Sequence, residues 1–233
     1  INAAQNVMGK DPFVLTRSEA YIGVLIDDLI TKSTDEPYRM FTSRAEYRTL
    51  LRQDNADERL TPLSHKIGLA KDERMFLVEQ KLSGKQEMLK YLNNLSVEPT
   101  AVNPVLNTSG SPEVNQKVKF TQILSRPQID LKSLLAVTPD AQDKLDTYGD
   151  LSEAIAEQIE IQIKYEGYLA KEKELAEKMN RLENVPLPQN FNYNALTSLS
   201  MEARQKLSLI RPETLGQASR ISGVNPSDIS IIG

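Results

Sequence analysis

The sequence predicts a mainly α-helical protein that ends in a small three-helix module. Apolar residues recur at helical spacing over two long stretches, from Lys71 to Leu95 and from Leu151 to Glu183. The hydrophobic fraction is 39%, only 6% of residues are aromatic, and tryptophan is absent. This composition suits helices with one buried stripe better than a thick β-sandwich.

Composition restricts the function classes. A chain of 233 residues can hold one large or two modest domains. The formal charge of −4 gives no global basic field, so any RNA binding must come from local clusters. The absence of cysteine excludes disulfides and thiolate metal sites within this chain. With no membrane-length apolar run and no signal peptide, we expect no membrane association and a cytoplasmic location.

The stretch from Pro37 to Pro62 organises the chain. Ser43 and Glu46 have the spacing of a capping box, which predicts a helix from Arg44 to about Gln53. Arg44, Arg48 and Arg52 recur every four residues. In a helix they would repeat about every 6 Å along the axis, from a rise of ~1.5 Å per residue. Such a ladder can grip phosphate oxygens. The candidate RNA contacts are Arg39, Arg44, Arg48, Arg52 and Arg59.

A structural interpretation of these arginines stays open beside the RNA interpretation. Acidic residues nearby, among them Asp54, Asp57 and Glu58, lie close enough in sequence to pair with them. Charge runs at helical period are commonly salt-bridged surface.

The segments before and after this stretch carry few catalytic signals. Asp27 and Asp28 point about 100° apart in a helix, which favours surface exposure or a salt bridge over a shared metal. His65 is the one histidine, so no zinc set is predicted. Three prolines and a polar tip predict a flexible linker over residues 96–128.

Tyr165 and Tyr168 share a helix face. This spacing predicts that they pack in the core or at an interface, and stacking on bases is the alternative.

Helix-start signals within residues 191–232 predict a compact module. Ser200, Pro212 and Asn225-Pro226 are start signals for three successive helices. The spacing imitates a DNA-binding helix-turn-helix, but the would-be recognition helix, which starts at Asn225-Pro226, offers no Arg or Lys to DNA. We therefore predict a protein-docking module, with basic candidates Arg204, Arg211 and Arg220 for an acidic partner.

Four segments of the chain carry a recognisable pattern: PYRMFTSRAEYR from Pro37, RSEAYIGVLIDDL from Arg17, YEGY from Tyr165 and LGQASRISGV from Leu215. They resemble the GidA/MnmG family, the flavoprotein subunit of an enzyme that installs a carboxymethylaminomethyl group on the wobble uridine of certain tRNAs. The resemblance covers nearly all of the chain and is weakest over residues 96–147.

The resemblance implies a helical C-terminal region appended to an FAD-binding α/β domain that precedes this fragment. It implies FAD and NADH, bound mainly outside the fragment, and tRNA, a GTPase subunit and a second copy of the protein as partners. The expected domains are residues 1–36 (tail of the FAD-binding domain), 37–148 (first helical subdomain with the linker) and 149–233 (long helix and docking module).

Two other function classes remain at this point. The chain could be a purely structural helical adaptor or, less well supported, a DNA-binding protein. The fragment itself shows no Gly-x-Gly-x-x-Gly motif, phosphate loop or catalytic triad, so we assign it no catalytic residues.

Overall fold

The structure, a computed structural model, describes residues 1–31, 39, 45 and 47–233. These residues form two compact units, of which the first joins Ile1–Leu51 with Ala170–Gly233 and the second is Arg52–Leu169. This division into units reflects which residues pack together. The domain boundaries expected after residues 36 and 148 stay a prediction. The mainly α prediction is confirmed by twelve α-helices among the described residues.

The second unit is a helical domain with one short antiparallel ribbon. Ser96 of β1 pairs with Lys119 of β2, and Val97 pairs with Val118. Its elements are α3 (Ala56–Lys66), α4 (Asp72–Asn94), β1 (Ser96–Val97), α5 (Pro99–Thr108), β2 (Val118–Lys119), α6 (Phe120–Leu124), α7 (Leu131–Leu135), α8 (Pro139–Asp146) and the first part of α9 (Ser152–Glu183).

The two long helices were predicted correctly, because each keeps an apolar face. In α4, Met88 and Leu92 are fully buried, and α9 contributes Ile155 and Ile159 to the same core. Gly84 permits close packing here, since a Cβ at this position would lie 2.8 Å from Cδ1 of Ile155. Gly84 is therefore a site of helix contact rather than the weak point that its low helix propensity predicts.

The flexible linker predicted over residues 96–128 is wrong. Its apolar residues instead form part of the core, where Val102, Leu106 and Phe120 are fully buried. Pro99 occupies the first turn of α5, where its missing N–H costs nothing. Two of the three prolines that suggested a linker therefore begin or lie within an ordered helix, Pro99 and Pro104, whereas Pro112 follows that helix.

The helix predicted from Arg44 to about Gln53 is also wrong where the structure describes it. Residues 47–50 form a turn, with the Leu51 amide donating to the Tyr47 carbonyl at 2.9 Å, and the next α-helix begins only at Ala56. The Ser43–Glu46 capping box lies outside the described residues.

The first unit contains the predicted three-helix module. Leu207, Ala218 and Ile221 are buried in its core. The Ser200 hydroxyl caps α10 by accepting from the Ala203 amide at 3.1 Å, as predicted. The elements are α1 (Asn2–Val7), α2 (Tyr21–Thr31), the last part of α9, α10 (Met201–Ile210), α11 (Leu215–Arg220) and α12 (Pro226–Ile232).

Candidate nucleic-acid interface and docking module

Two of the five predicted RNA-contact arginines are exposed. Arg39 and Arg48 both present their side chains to solvent. Neither forms an ion pair with another residue that the structure describes. Arg44 lies outside the described residues. The helical ladder of arginines is not formed where the structure describes it, because residues 47–50 form a turn, and RNA contact by these arginines stays a prediction.

Arg52 is held by acceptors within the second unit. Its Nε donates to both carboxylate oxygens of Asp54, at 3.0 and 3.1 Å, and its Nη2 donates to Oε1 of Gln158 at 3.3 Å. Gln158 also donates to Asp54. Burial alone would raise the pKa of Asp54, but the hydrogen bonds from Arg52 and Gln158 outweigh it and lower the pKa. The carboxylate therefore stays ionised and holds the arginine.

Arg59 closes the turn that precedes α3. Its Nε donates to Oδ1 of Asn55 at 2.9 Å, and its Nη2 donates to the Arg52 carbonyl at 3.0 Å. A guanidinium group used in this way positions backbone, because its donors already have acceptors.

Lysines of α4 neutralise the acidic start of α3. Lys81 is almost fully buried and donates to Oδ2 of Asp57 at 2.9 Å, while Lys85 donates to Oε2 of Glu58 at 2.6 Å. Two of the acids that could have paired with the arginine row, Asp57 and Glu58, therefore pair with α4 instead, while Glu46 lies outside the described residues.

Tyr165 and Tyr168 are both exposed on α9, with exposed fractions of 50% and 70%. Their ring centroids are 6.5 Å apart, and their planes are inclined by 55°. Of the predicted core or interface packing, the core packing is wrong, because both side chains are exposed. An interface and base stacking both remain open.

A nearly buried ion cluster lies in the first unit. Arg17 donates from Nη1 to Asp27 at 2.9 Å and to Asp28 at 2.7 Å. Arg220 donates to both oxygens of Asp27 at 2.8 Å and also to Glu183. The salt-bridge prediction for the two aspartates is confirmed. Arg220, predicted to meet an acidic partner, here meets acidic groups of its own chain.

The other two docking candidates lie on and just after α10. The side chain of Arg204 is half-buried, and its Nε is buried without a hydrogen-bond partner among the described residues. Arg211 follows the helix in the left-handed conformation, with φ of 50°, and its Nη1 donates to the Gln189 carbonyl at 2.8 Å. The charge of Arg211 remains exposed.

Sequence reasoning missed two apolar residues beside Arg204. Met201 and Leu209 each expose 79% of their surface, on the face of α10 opposite Ala203 and Leu207. The signal was present, since an amphipathic helix needs only one apolar stripe and these residues lie off it.

The described residues do not fit a dinucleotide or a metal ion. Their only paired strands are two residues long and antiparallel, so they contain no strand–glycine turn–helix unit to cradle a pyrophosphate. They also contain no cluster of three potential metal ligands. We therefore derive no chemical step through FAD or NADH.

Among the described residues, no helix combines the length and the apolar character that a membrane span requires.

These features define a class of protein: a mainly α-helical region that ends in a small helical module. Comparison with known proteins identifies the family. The tRNA modifying enzyme MnmG/GidA C-terminal helical domain matches residues 72–173, and the MnmG/GidA C-terminal helical bundle matches residues 175–232.

Relatives match over the whole chain. A Flavobacterium psychrophilum protein named tRNA uridine 5-carboxymethylaminomethyl modification enzyme MnmG is 55% identical over 232 residues, and a Christiangramia forsetii protein of the same name is 53% identical over 235. The match covers 100% of this chain and 37% of each relative. The structure of Aquifex aeolicus GidA in its form II crystal has a TM-score of 0.75 at 35% identity, covering 99% of this chain and 35% of that one.

The chain belongs to the MnmG/GidA family. It spans 37% of the length of the curated relatives that it matches. Both matching domain descriptions place it in the helical C-terminal part of the family.

Proposed function

We propose that this chain is the C-terminal part of an FAD-dependent enzyme that helps to install a carboxymethylaminomethyl group on the wobble uridine of tRNA. The observation that carries the proposal is the identity of 55% across the whole chain to a relative named for that modification. The chemistry belongs to parts of the enzyme outside this chain. The role of the chain is to bind tRNA and to dock a partner.

For the tRNA contact, we favour Arg39 and Arg48 as the phosphate-binding groups. Both are exposed, and an unpaired guanidinium group can grip two phosphate oxygens. Arg52 and Arg59 have acceptors within the second unit, so their role is to position the backbone before α3. Arg44 remains a candidate from its sequence position.

For the partner, we propose that the module of α10 to α12 docks the GTPase subunit of the modification complex. Of the three predicted docking arginines, Arg204 and Arg211 are available, whereas Arg220 is engaged by Asp27 and Glu183. Homodimer formation stays a prediction of the resemblance, and the cytoplasmic location stays a prediction of the sequence.

The structural-adaptor alternative has one observation in its favour, which is the internal pairing of Arg52, Arg59, Lys81 and Lys85. The DNA-binding alternative has none. In α12, Asp228 is buried and accepts hydrogen bonds from two backbone amides, at Ser200 and Asn225, so it is unavailable to a base.

Titration of the full-length enzyme with tRNA between 50 and 200 mM salt tests the proposal. Phosphate contacts release counterions, so affinity should fall steeply with salt. The double variant Arg39→Ala/Arg48→Ala should bind more weakly and should lower the salt slope by about two, roughly one for each phosphate that is no longer neutralised. Arg74→Ala, at an exposed position of α4, is the matched control and should leave both values unchanged.

Two outcomes would oppose the proposal in different ways. A flat salt response in the unaltered enzyme would remove the phosphate-contact role and favour the adaptor. A steep response that the double variant does not change would keep tRNA binding but place it elsewhere than Arg39 and Arg48.

A further inference from the structure

The helix α10 has two apolar faces, although it needs only one. Ala203 and Leu207 are fully buried in the core of the module. Met201 and Leu209 lie on the opposite side and expose 79% of their surface each. They are eight residues apart, which places them about 12 Å apart along the helix at ~1.5 Å per residue. The second face therefore does not serve the fold.

A groove of about 590 Å³ runs between these two side chains. It contains a single charged group, the guanidinium of Arg204. Its lining residues are Asn194, Met201, Arg204, Gln205, Ser208 and Leu209. All of them belong to the first unit.

The Arg204 side chain is incompletely satisfied in this groove. Its Nε is buried and has no hydrogen-bond partner among the described residues. A buried donor without an acceptor is unfavourable, and more so when it carries charge. The terminal Nη donors of Arg204 are not among the buried atoms, so a carboxylate brought into the groove would supply them with acceptors and with opposite charge in one group.

The surrounding charges agree with an acidic occupant. Helix α10 and the residue after it carry Arg204, Lys206 and Arg211 against the single acid Glu202. An RNA backbone is a poorer fit, because its affinity comes from several cations in a row and gains nothing from flanking Met and Leu side chains. Apolar anchors around a central arginine are typical of protein interfaces.

We propose that the outer face of α10 (Met201, Arg204, Gln205, Ser208 and Leu209) is the docking surface for an acidic segment of the GTPase subunit, in which a carboxylate flanked by apolar side chains meets Arg204. This inference rests on the proposed docking function and assigns it to one face of one helix. The apolar side chains of the segment cover Met201 and Leu209, and removal of that surface from water favours the complex.

The test is a calorimetric titration of the full-length enzyme with the purified GTPase subunit. Two sets of variants, Arg204→Glu and Met201→Asp/Leu209→Asp, should each weaken the dissociation constant roughly 10- to 30-fold, the loss typical of central interface residues. The controls are Arg181→Glu and Leu175→Asp, exposed residues of α9 in the same unit. They should change the constant less than about twofold, because surface substitutions away from an interface have small effects.

A second measurement covers the case in which a variant fails to fold. Replacing Leu209 by a photo-crosslinking amino acid should yield a covalent adduct with the GTPase subunit, and the same replacement at Leu175 should not. The side chain at 209 is already exposed, so this replacement does not disturb the core.

The possible failures are distinguishable. If the unaltered enzyme does not bind the GTPase subunit, the docking function itself is wrong. If it binds but both variant sets and the crosslink match their controls, docking occurs elsewhere and only this inference is overturned. A shift in sedimentation from dimer to monomer would assign the face to a second copy of the chain, and a loss of tRNA affinity would assign it to RNA; either result overturns the proposal.

Discussion

Arg220 and Asp27 form a two-point ion pair although they are 193 positions apart in the chain. Nε and Nη2 of Arg220 each donate to one carboxylate oxygen at 2.8 Å. The side chains are only 10% and 12% exposed. Burial alone would lower the pKa of Arg220, but its hydrogen bonds with Asp27 and Glu183 raise the pKa instead. The pair therefore joins α11 to α2.

Removing this arginine should destabilise the first unit. Arg220→Met leaves Asp27 and Glu183 without their shared cation, and an uncompensated buried charge costs about 3–5 kcal/mol. We expect a loss at the lower end of that range, because Asp27 keeps its bond to Arg17. The measurement is the free energy of unfolding in urea.

The matched control for Arg220 is an exposed pair. The Nζ atom of Lys117 lies 2.9 Å from Oε1 of Glu98, and the two side chains are 59% and 58% exposed. Lys117→Met should cost less than about 1 kcal/mol, since exposed pairs contribute little. Equal losses for the two variants would show that burial does not govern the Arg220 pair.

The two glycines inside the long helices should respond in opposite directions to alanine. At Gly84, a new Cβ would lie 2.8 Å from Cδ1 of Ile155 and 3.0 Å from Cδ1 of Tyr148. Ile155 is fully buried and cannot move aside freely. Gly84→Ala should therefore destabilise the second unit by about 1–3 kcal/mol, the usual cost of overpacking.

Gly167 provides the control because nothing lies within 4 Å of a Cβ built there. Gly167→Ala should stabilise α9 by about 0.5–1 kcal/mol, since glycine loses more backbone entropy than alanine in a helix. Thermal unfolding of both variants is the check. A gain in stability for Gly84→Ala would mean that the helices separate at that point without cost.

The long helices could be predicted because their signal is local. In α4 and α9 the apolar residues recur every three or four positions, which needs no knowledge of the rest of the chain. The helix-start signals of the C-terminal module are equally local, and Ser200 and Asn225 cap the N-termini of their helices as predicted.

The failures arose where distant residues decide the structure. Residues 96–128 look like a linker because prolines and polar residues separate the apolar ones, yet Phe120 and Ile123 are buried in the core of the second unit. The arginine row had helical spacing, but Arg52 is fixed by Asp54, which the sequence offered as an acceptor, and also by Gln158, which is 106 positions away. Spacing within one segment cannot reveal such a partner.

Arg48 and Arg52 should separate binding from stability. Arg52→Ala removes the donors that hold Asp54, and hydrogen bonds to a charged group contribute about 1.5–3 kcal/mol each. We expect its free energy of unfolding to fall by about 2 kcal/mol and its salt slope for tRNA to stay unchanged. Arg48→Ala should lower the salt slope for tRNA and leave the free energy of unfolding unchanged, because Arg48 is exposed.

Both quantities must be measured on each variant, by urea unfolding and by tRNA titration over a range of salt. Arg59→Ala should follow Arg52→Ala, since its guanidinium group donates to Asn55 and to the Arg52 carbonyl. A reduced salt slope for the Arg52 variant at unchanged stability would return that residue to the phosphate-binding set.

Asp228 should make the stability of the docking module depend on acid pH. Its carboxylate accepts from the Ser200 amide at 3.0 Å and from the Asn225 amide at 3.1 Å. The bond from Ser200 is the largest influence, and with the bond from Asn225 it outweighs burial and lowers the pKa of Asp228 below the ordinary 3.8. The folded state therefore binds this proton more weakly than the unfolded state does.

The sign of the effect follows from that difference. A carboxyl group with a lowered pKa contributes its stability fully above the unfolded-state pKa and loses it as pH falls through the folded-state pKa. Asp228→Asn should cost about 1–2 kcal/mol at pH 7, the range for losing a helix cap. The difference from the unaltered protein should shrink as the pH is lowered from 5 to below 3.8. Asp143→Asn, at an exposed position of α8, is the control and should show neither effect. A difference that stays constant with pH would mean that the charge on Asp228 does not contribute to the cap.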